Sequence, residues 1–223
     1  MINELSNTEV LALLGRYWNN EKYPFPGYFE HRYDPDSSAI LYSFVRELKP
    51  KKILEIGTSK GGATLTIMKA LLKNNLPFEF YSSELLDDLR NEAENNLKRE
   101  AGQSPIMLGD ITKNLDKIPY DIDFFMLDND HDLPTTVWIM ENIIPRLKDG
   151  CFFSLHDWAV QDINGKWVGK GHEGAGAWPE TQYFMDLQKE GKFPFKKIWW
   201  GYKNPLWEGF WDPCESSFWV YAK

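Results

Sequence analysis

Cysteine is scarce: two in 223 residues, Cys151 and Cys214, at a separation that fits no metal-binding pattern. A disulfide-built fold is excluded, and reduced thiols in a cytoplasmic protein are expected. No apolar run reaches the roughly 18 residues of a membrane helix, and the opening MINELSNTEV lacks the anatomy of a secretion signal. Basic residues are in deficit as well, 25 against 33 acidic ones, for a formal charge of −8. Without a concentrated basic stripe, neither nucleic acid nor a membrane surface is expected as a partner. Internal repeats and low-complexity segments are missing too, which excludes solenoids and linker arrays.

Aromatic residues, by contrast, are abundant at 15%, with ten tryptophans. Seven of these (Trp158, Trp167, Trp178, Trp199, Trp200, Trp207 and Trp211) crowd one stretch of the C-terminal third, and Trp219 follows. A chain of this length can bury a large core as one domain. The expected layout is a single domain over 1–223: an N-terminal helical cap (1–50), a central core (51–157) and an aromatic-rich remainder (158–223).

Periodicity supplies the fold class. Val10, Leu13, Leu14 and Tyr17 keep helical spacing after Ser6, and a second helix is expected over Ser37–Leu48. The loop YPFPGYFEHRYDPDSS lies between them and holds His31. Strands are then expected at Lys52–Ile56, Phe78–Ser82, Ile106–Leu108, Ile122–Leu127 and Cys151–Leu155. Helices at Gly62–Lys73, Asp87–Ala101 and Leu133–Leu147 alternate with them, with a short one near Thr112–Leu115. FFML and CFFSL are apolar on both faces, as strands covered on both sides must be. Such alternation predicts an α/β, Rossmann-like, doubly wound and mostly parallel sheet. A helix over Pro179–Glu190 and strands Phe195–Tyr202 and Ser217–Ala222 complete seven strands. The last two are joined by a connection too short for a helical crossover, so the final strand is expected to run antiparallel. Ligands in such folds sit beyond the carboxyl ends of the strands.

The first of those ends reads ILEIGTSKGGATLT. A phosphate-binding P-loop would need lysine where Ala63 stands, and a dinucleotide turn would need glycine where Ser59 stands. Glu55, Gly57 and Gly61 instead give acid-x-Gly-x-x-x-Gly. Acids also close the next three strands: Glu84 in YSSE, Asp110 in LGD and Asp128 in LDNDH. Packing alone does not ask for acids at four successive strand ends.

This set resembles the motifs of class I S-adenosylmethionine-dependent methyltransferases. The resemblance implies S-adenosylmethionine as cofactor, bound by Glu55, Gly57, Thr58, Ser59, Gly61, Glu84, Asp110, Ile111 and Asp128. Glu55 would orient the turn or meet the ammonium, Glu84 would accept both ribose hydroxyls, and Asp110 would accept the adenine amine. The helix N-terminus after Gly61 favours the carboxylate.

Asp128-Asn129-Asp130-His131, Ile144-Pro145-Arg146-Leu147-Lys148-Asp149-Gly150 and His156-Asp157 resemble the "DGDH … PLLKPGG … HD" pattern of the macrocin-type sugar and small-molecule O-methyltransferases. That likeness covers about residues 50–160. It implies methyl transfer to a small-molecule hydroxyl, with Asp128 and His131 as catalytic residues and His131 as general base. It also implies a divalent cation, Mg²⁺ or Mn²⁺, on Asp128, His156 and Asp157. Two other readings stay open: a cephalosporin-hydroxylase-like relative of the same fold, and a non-catalytic S-adenosylmethionine-binding protein. WAVQDINGKWVGKGHEGAGAWPE, with His172, and NPLWEGFWDPC are expected to wall the acceptor side. Their tryptophans suit a sugar or phenolic ring; the alternatives are loop anchoring or the contact surface of a homo-oligomer.

Overall fold

The computed structural model describes residues 4–21, 35–129, 132–156, 160–161, 167–168, 179–200 and 217–222. Seven strands form one sheet: β1 (Lys52–Ile56), β2 (Glu79–Ser83), β3 (Ile106–Leu108), β4 (Ile122–Leu127), β5 (Leu147–Leu155), β6 (Phe195–Trp200) and β7 (Ser217–Tyr221). Their order is β3-β2-β1-β4-β5-β7-β6. Pairings among β1 to β5 are parallel, whereas β7 runs antiparallel to both β5 and β6. The expected antiparallel finish is present. The chain reverses direction between β2 and β4 around β1, so the β1 and β4 ends form the crevice where such sheets bind ligands.

Helices α1 (Asn7–Leu14), α2 (Pro35–Leu48), α3 (Gly62–Asn74), α4 (Asp87–Ala101), α5 (Leu133–Asn142) and α6 (Pro179–Lys189) complete the main elements. Alternate strand residues feed two apolar layers, one on each face. Ile53, Phe80, Phe124, Met126 and Phe152 pack with α2 and α3 residues such as Phe44, Leu65 and Ile67. Leu54, Ile56, Phe125, Leu127 and Phe153 pack with Ile139 of α5 and Phe184 of α6. Phe124 stacks on Phe152, and Phe125 on Phe153, across the β4–β5 pairing. Each such ring contributes roughly 1.5–3 kcal/mol by leaving water.

Some boundaries differ from those expected. α5 stops at Asn142 and a 3₁₀ turn, Ile144–Arg146, follows. Pro145 lacks the amide hydrogen and disfavours helix in the residue before it. β5 begins at Leu147, opposite Ile122, with the register broken before Phe124 pairs with Phe152. α1 passes into a π turn over Gly15–Asn19. Two C-terminal tryptophans prove to be core: Trp199 and Trp219 are buried, with their indole N–H groups donated to Asn7 Oδ1 and Ser217 Oγ. Trp158, Trp178, Trp207, Trp211, His31, His172 and Cys214 lie outside the described residues. No described helix is long and apolar enough to cross a membrane.

Among the described glycines, the one at the β1 turn has the least room for a side chain. Gly57 has φ +96°, and a Cβ there would stand 1.7 Å from the Asp128 carbonyl oxygen. The Asp128 N–H donates to the Ile56 carbonyl at 2.8 Å, so the β4 end cannot retreat without losing that bond. We expect Gly57→Ala to cost on the order of 3 kcal/mol, from collision plus left-handed strain. Chemical denaturation of wild type and variant measures it; unchanged stability would mean the β4 end yields freely.

Candidate active site

The turn after β1 is fixed from three directions. Gly57 and Thr58 both donate backbone N–H groups to the Ser83 carbonyl, at 3.0 and 3.1 Å, and Gly61 donates to Thr58. Ser59 adopts φ +49°, a left-handed conformation that a side chain disfavours. Its N–H is held by Glu84 Oε2 at 2.7 Å, while Glu84 Oε1 accepts from Leu86 N at 3.0 Å. The carboxylate at the β2 end thus stabilises a backbone shape that glycine adopts without strain. Gly61, φ +94°, caps α3 without any side-chain hydrogen bond. The first α3 amides therefore present partial positive charge at the turn.

Glu55 lies beneath this turn, fully buried. Its Oε2 accepts from Thr64 Oγ1 at 2.7 Å and Ser82 Oγ at 2.5 Å, and Ser82 Oγ in turn lies 2.5 Å from Thr58 Oγ1. Glu55 reaches the turn through these hydroxyls. Its Oε1 has no hydrogen-bond partner. Burial, opposed by the Ser82 and Thr64 hydrogen bonds and reinforced by Asp128 and Glu84, pushes its pKa up to about 7. Ser82 and Thr64 were missed in the sequence, where an apolar strand and a helix gave no sign that two hydroxyls would face one carboxyl group.

Beside the turn lies an open cleft of about 100 Å³, lined by Ile56, Gly57, Glu84, Leu85, Asp110, Ile111 and Asn129 among others. Residues from four strand ends meet here. Asp110 caps the following 3₁₀ turn through Thr112 N and Oγ1 and pairs with Lys113 at 2.9 Å. The Thr112 hydroxyl, then Lys113, hold its carboxyl below the usual range. Ile111, buried, and Leu85, exposed, give the cleft apolar surface. Asn129, Asp132 and Thr135 form part of its wall and were not expected from the sequence, although LDNDH contains the first of them.

At the ends of β4 and β5, His156 Nδ1 lies 3.1 Å from Asp128 Oδ1. Hydrogen bonds from Asp128 N to Ile56 O and from His156 N to Leu127 O set these two backbones side by side. The Asp128 partner favours the tautomer with the proton on Nδ1, leaving the lone pair on Nε2. His131, the expected base, and Asp157, an expected metal ligand, lie outside the described residues. Among the described residues no cluster of three or more His, Cys, Asp or Glu is arranged to hold a metal ion.

The buried Glu55 has a measurable consequence. Its pKa in the fold, about 7, exceeds the ordinary 4.5, so between those values the folded state keeps a proton that the unfolded chain has lost. Stability should therefore fall as pH rises through that window, by on the order of 3 kcal/mol from this group, and level off above it. Thermal melts of Glu55→Gln from pH 5 to 8 should lose this slope; a slope equal to that of wild type would remove Glu55 as its source.

Comparison with known proteins places this geometry in context. Residues 54–158 match the methyltransferase domain family. No curated protein sequence matches the chain significantly. Among solved structures, an O-methyltransferase from Bacillus cereus in complex with S-adenosylhomocysteine superposes with a TM-score of 0.62 at 14% identity, covering 98% of this chain and 92% of its own. TomG, an O-methyltransferase from Streptomyces achromogenes involved in tomaymycin synthesis and bound to S-adenosylmethionine, gives 0.61 at 12% identity, with 99% and 92% covered. The methyltransferase PaMTH1 from Podospora anserina, bound to S-adenosylhomocysteine, gives 0.59 at 13% identity, with 99% and 90% covered. Residues 54–158 thus match a methyltransferase domain model, and the chain as a whole shares its fold with these methyltransferase structures.

Proposed function

We propose that the protein transfers a methyl group from S-adenosylmethionine to a hydroxyl of a small molecule, with a sugar or phenolic ring as the acceptor class. The observation that carries this reading is the meeting of Gly57, Glu84, Asp110 and Ile111 in one cleft beside the side-chain-free cap of α3. The donor set fits the cofactor. Glu84 has two oxygens and spare lone pairs beyond those given to Ser59 and Leu86, enough for a ribose diol. Asp110 supplies an acceptor for an amine, and Leu85 and Ile111 supply apolar surface for a purine. The α3 amides suit a carboxylate.

When bound, the cofactor supplies a methyl group already activated on a sulfonium. The chain's own tasks are then to hold an acceptor oxygen in line and to take its proton. His156, beside Asp128, is the imidazole whose place is described; His131 remains the second candidate for the base. Because Asp128 and His156 bond each other, we read them as an orienting pair rather than as metal ligands. Metal assistance would have to separate that pair and recruit Asp157. The tryptophan-bearing segments after β5 and β6 remain the proposed acceptor walls.

Glu84→Ala should weaken S-adenosylhomocysteine by about 10-fold or more, since two hydroxyls lose a charged acceptor. Calorimetry reads the change, and equal affinity would place the ribose elsewhere. His156→Ala should lower turnover on hydroxyl acceptors, detected by product mass, by roughly 10²-fold or more while leaving cofactor affinity intact. Wild-type turnover should persist in chelator. A loss in chelator restored by Mg²⁺ or Mn²⁺ would return Asp128 and His156 to a metal.

A further inference from the structure

Polar side chains on the cleft wall mostly have partners within the protein. Glu84 is held by Ser59 and Leu86, Asp110 by Thr112 and Lys113, and Ser83 by the Gly109 carbonyl. Asp132 accepts from Thr135 N. Asn129 differs. It lies one residue beyond Asp128 and lines the same cleft, yet its side-chain Nδ2 is buried with no hydrogen-bond partner. A buried amide donor left unpaired is costly, and natural structures seldom keep one without a reason.

The chemistry of the neighbours indicates what that donor meets. Glu84 and Asp110 are acceptors, so they serve the donors of a nucleoside, its hydroxyls and its amine. A nucleoside also carries acceptors, the ring nitrogens and the sugar oxygens, and an acid-lined wall cannot satisfy those. The Asn129 amide offers the complementary hydrogen, and it stays neutral at every pH. A carboxylate at this place would add a further negative charge near Asp128, Glu84 and Asp110. Asn129 is also anchored. Its backbone N lies 3.1 Å from where a Cβ on Gly57 would stand, which ties its position to the close crossing of the β1 turn.

We infer that Asn129 donates a side-chain hydrogen bond to an acceptor atom in the nucleoside half of the cofactor, and that it thereby contributes to nucleoside specificity. This inference rests on the cofactor reading above. The test is calorimetry on the full chain with two probes, S-adenosylhomocysteine and 5′-methylthioadenosine, the second lacking the amino-acid portion. Wild type should bind both. Asn129→Ala should weaken both by the same factor, about 5- to 30-fold, and Asn129→Asp should weaken both further. Without ligand, the Asn129→Ala melting temperature should equal or exceed that of wild type, because an unpaired donor has been removed. Unchanged affinity in Asn129→Ala would overturn the inference. So would a loss confined to S-adenosylhomocysteine, which would put the donor at the amino-acid half, or a large drop in ligand-free stability, which would make the role structural. Failure of wild type to bind S-adenosylhomocysteine would instead sink the cofactor reading itself.

Discussion

The turn after β1 passes the end of β4 at a distance that leaves no room for a side chain on residue 57. From that crossing follow the positions of most groups in the cleft. The Asp128 amide bonds Ile56, which brings the Asp128 carboxylate beside His156 on the neighbouring strand. Asn129 follows at once and reaches the cleft wall. On the other side the turn leans on β2, through backbone bonds to Ser83 and the Ser59–Glu84 contact. Gly57 makes room for the protein's own backbone.

Beneath the turn, one carboxyl group organises three hydroxyls. Glu55 binds Ser82 and Thr64 directly and reaches Thr58 through Ser82. Burying a carboxyl group costs free energy unless it is hydrogen-bonded or neutral. Here both remedies act, since two hydroxyls meet one oxygen and burial lifts the pKa toward neutrality. The result is a stiff floor that ties β1, β2 and α3 to the glycine turn. Acids at the four strand ends therefore fall into different environments: Glu55 is enclosed, Glu84 is spent partly on backbone, Asp110 is tied to its own turn, and Asp128 is paired with an imidazole.

Tryptophan content divides in a similar way. Trp199 and Trp219 fill the sheet's core and place their N–H groups on internal acceptors. For these two, core anchoring accounts for the aromatic richness. The proposed acceptor walls draw on the other tryptophans of the C-terminal third.

Local pattern was enough to reveal the sheet, because burial on both faces leaves uninterrupted apolar strands and each helix keeps its own period. β1, β3, β4 and α4 begin and end where periodicity put them. It was also enough to mark the acids at successive strand ends, since each closes an apolar run where packing has no use for charge. What it could not reveal were pairings made across the sheet. Ser82 and Thr64 meeting Glu55, His156 lying beside Asp128, and Asn129 holding an unpaired donor all join residues between 9 and 28 positions apart, or depend on what surrounds one atom. Strand order, not neighbourhood in the chain, sets those distances, so only the folded structure decides them.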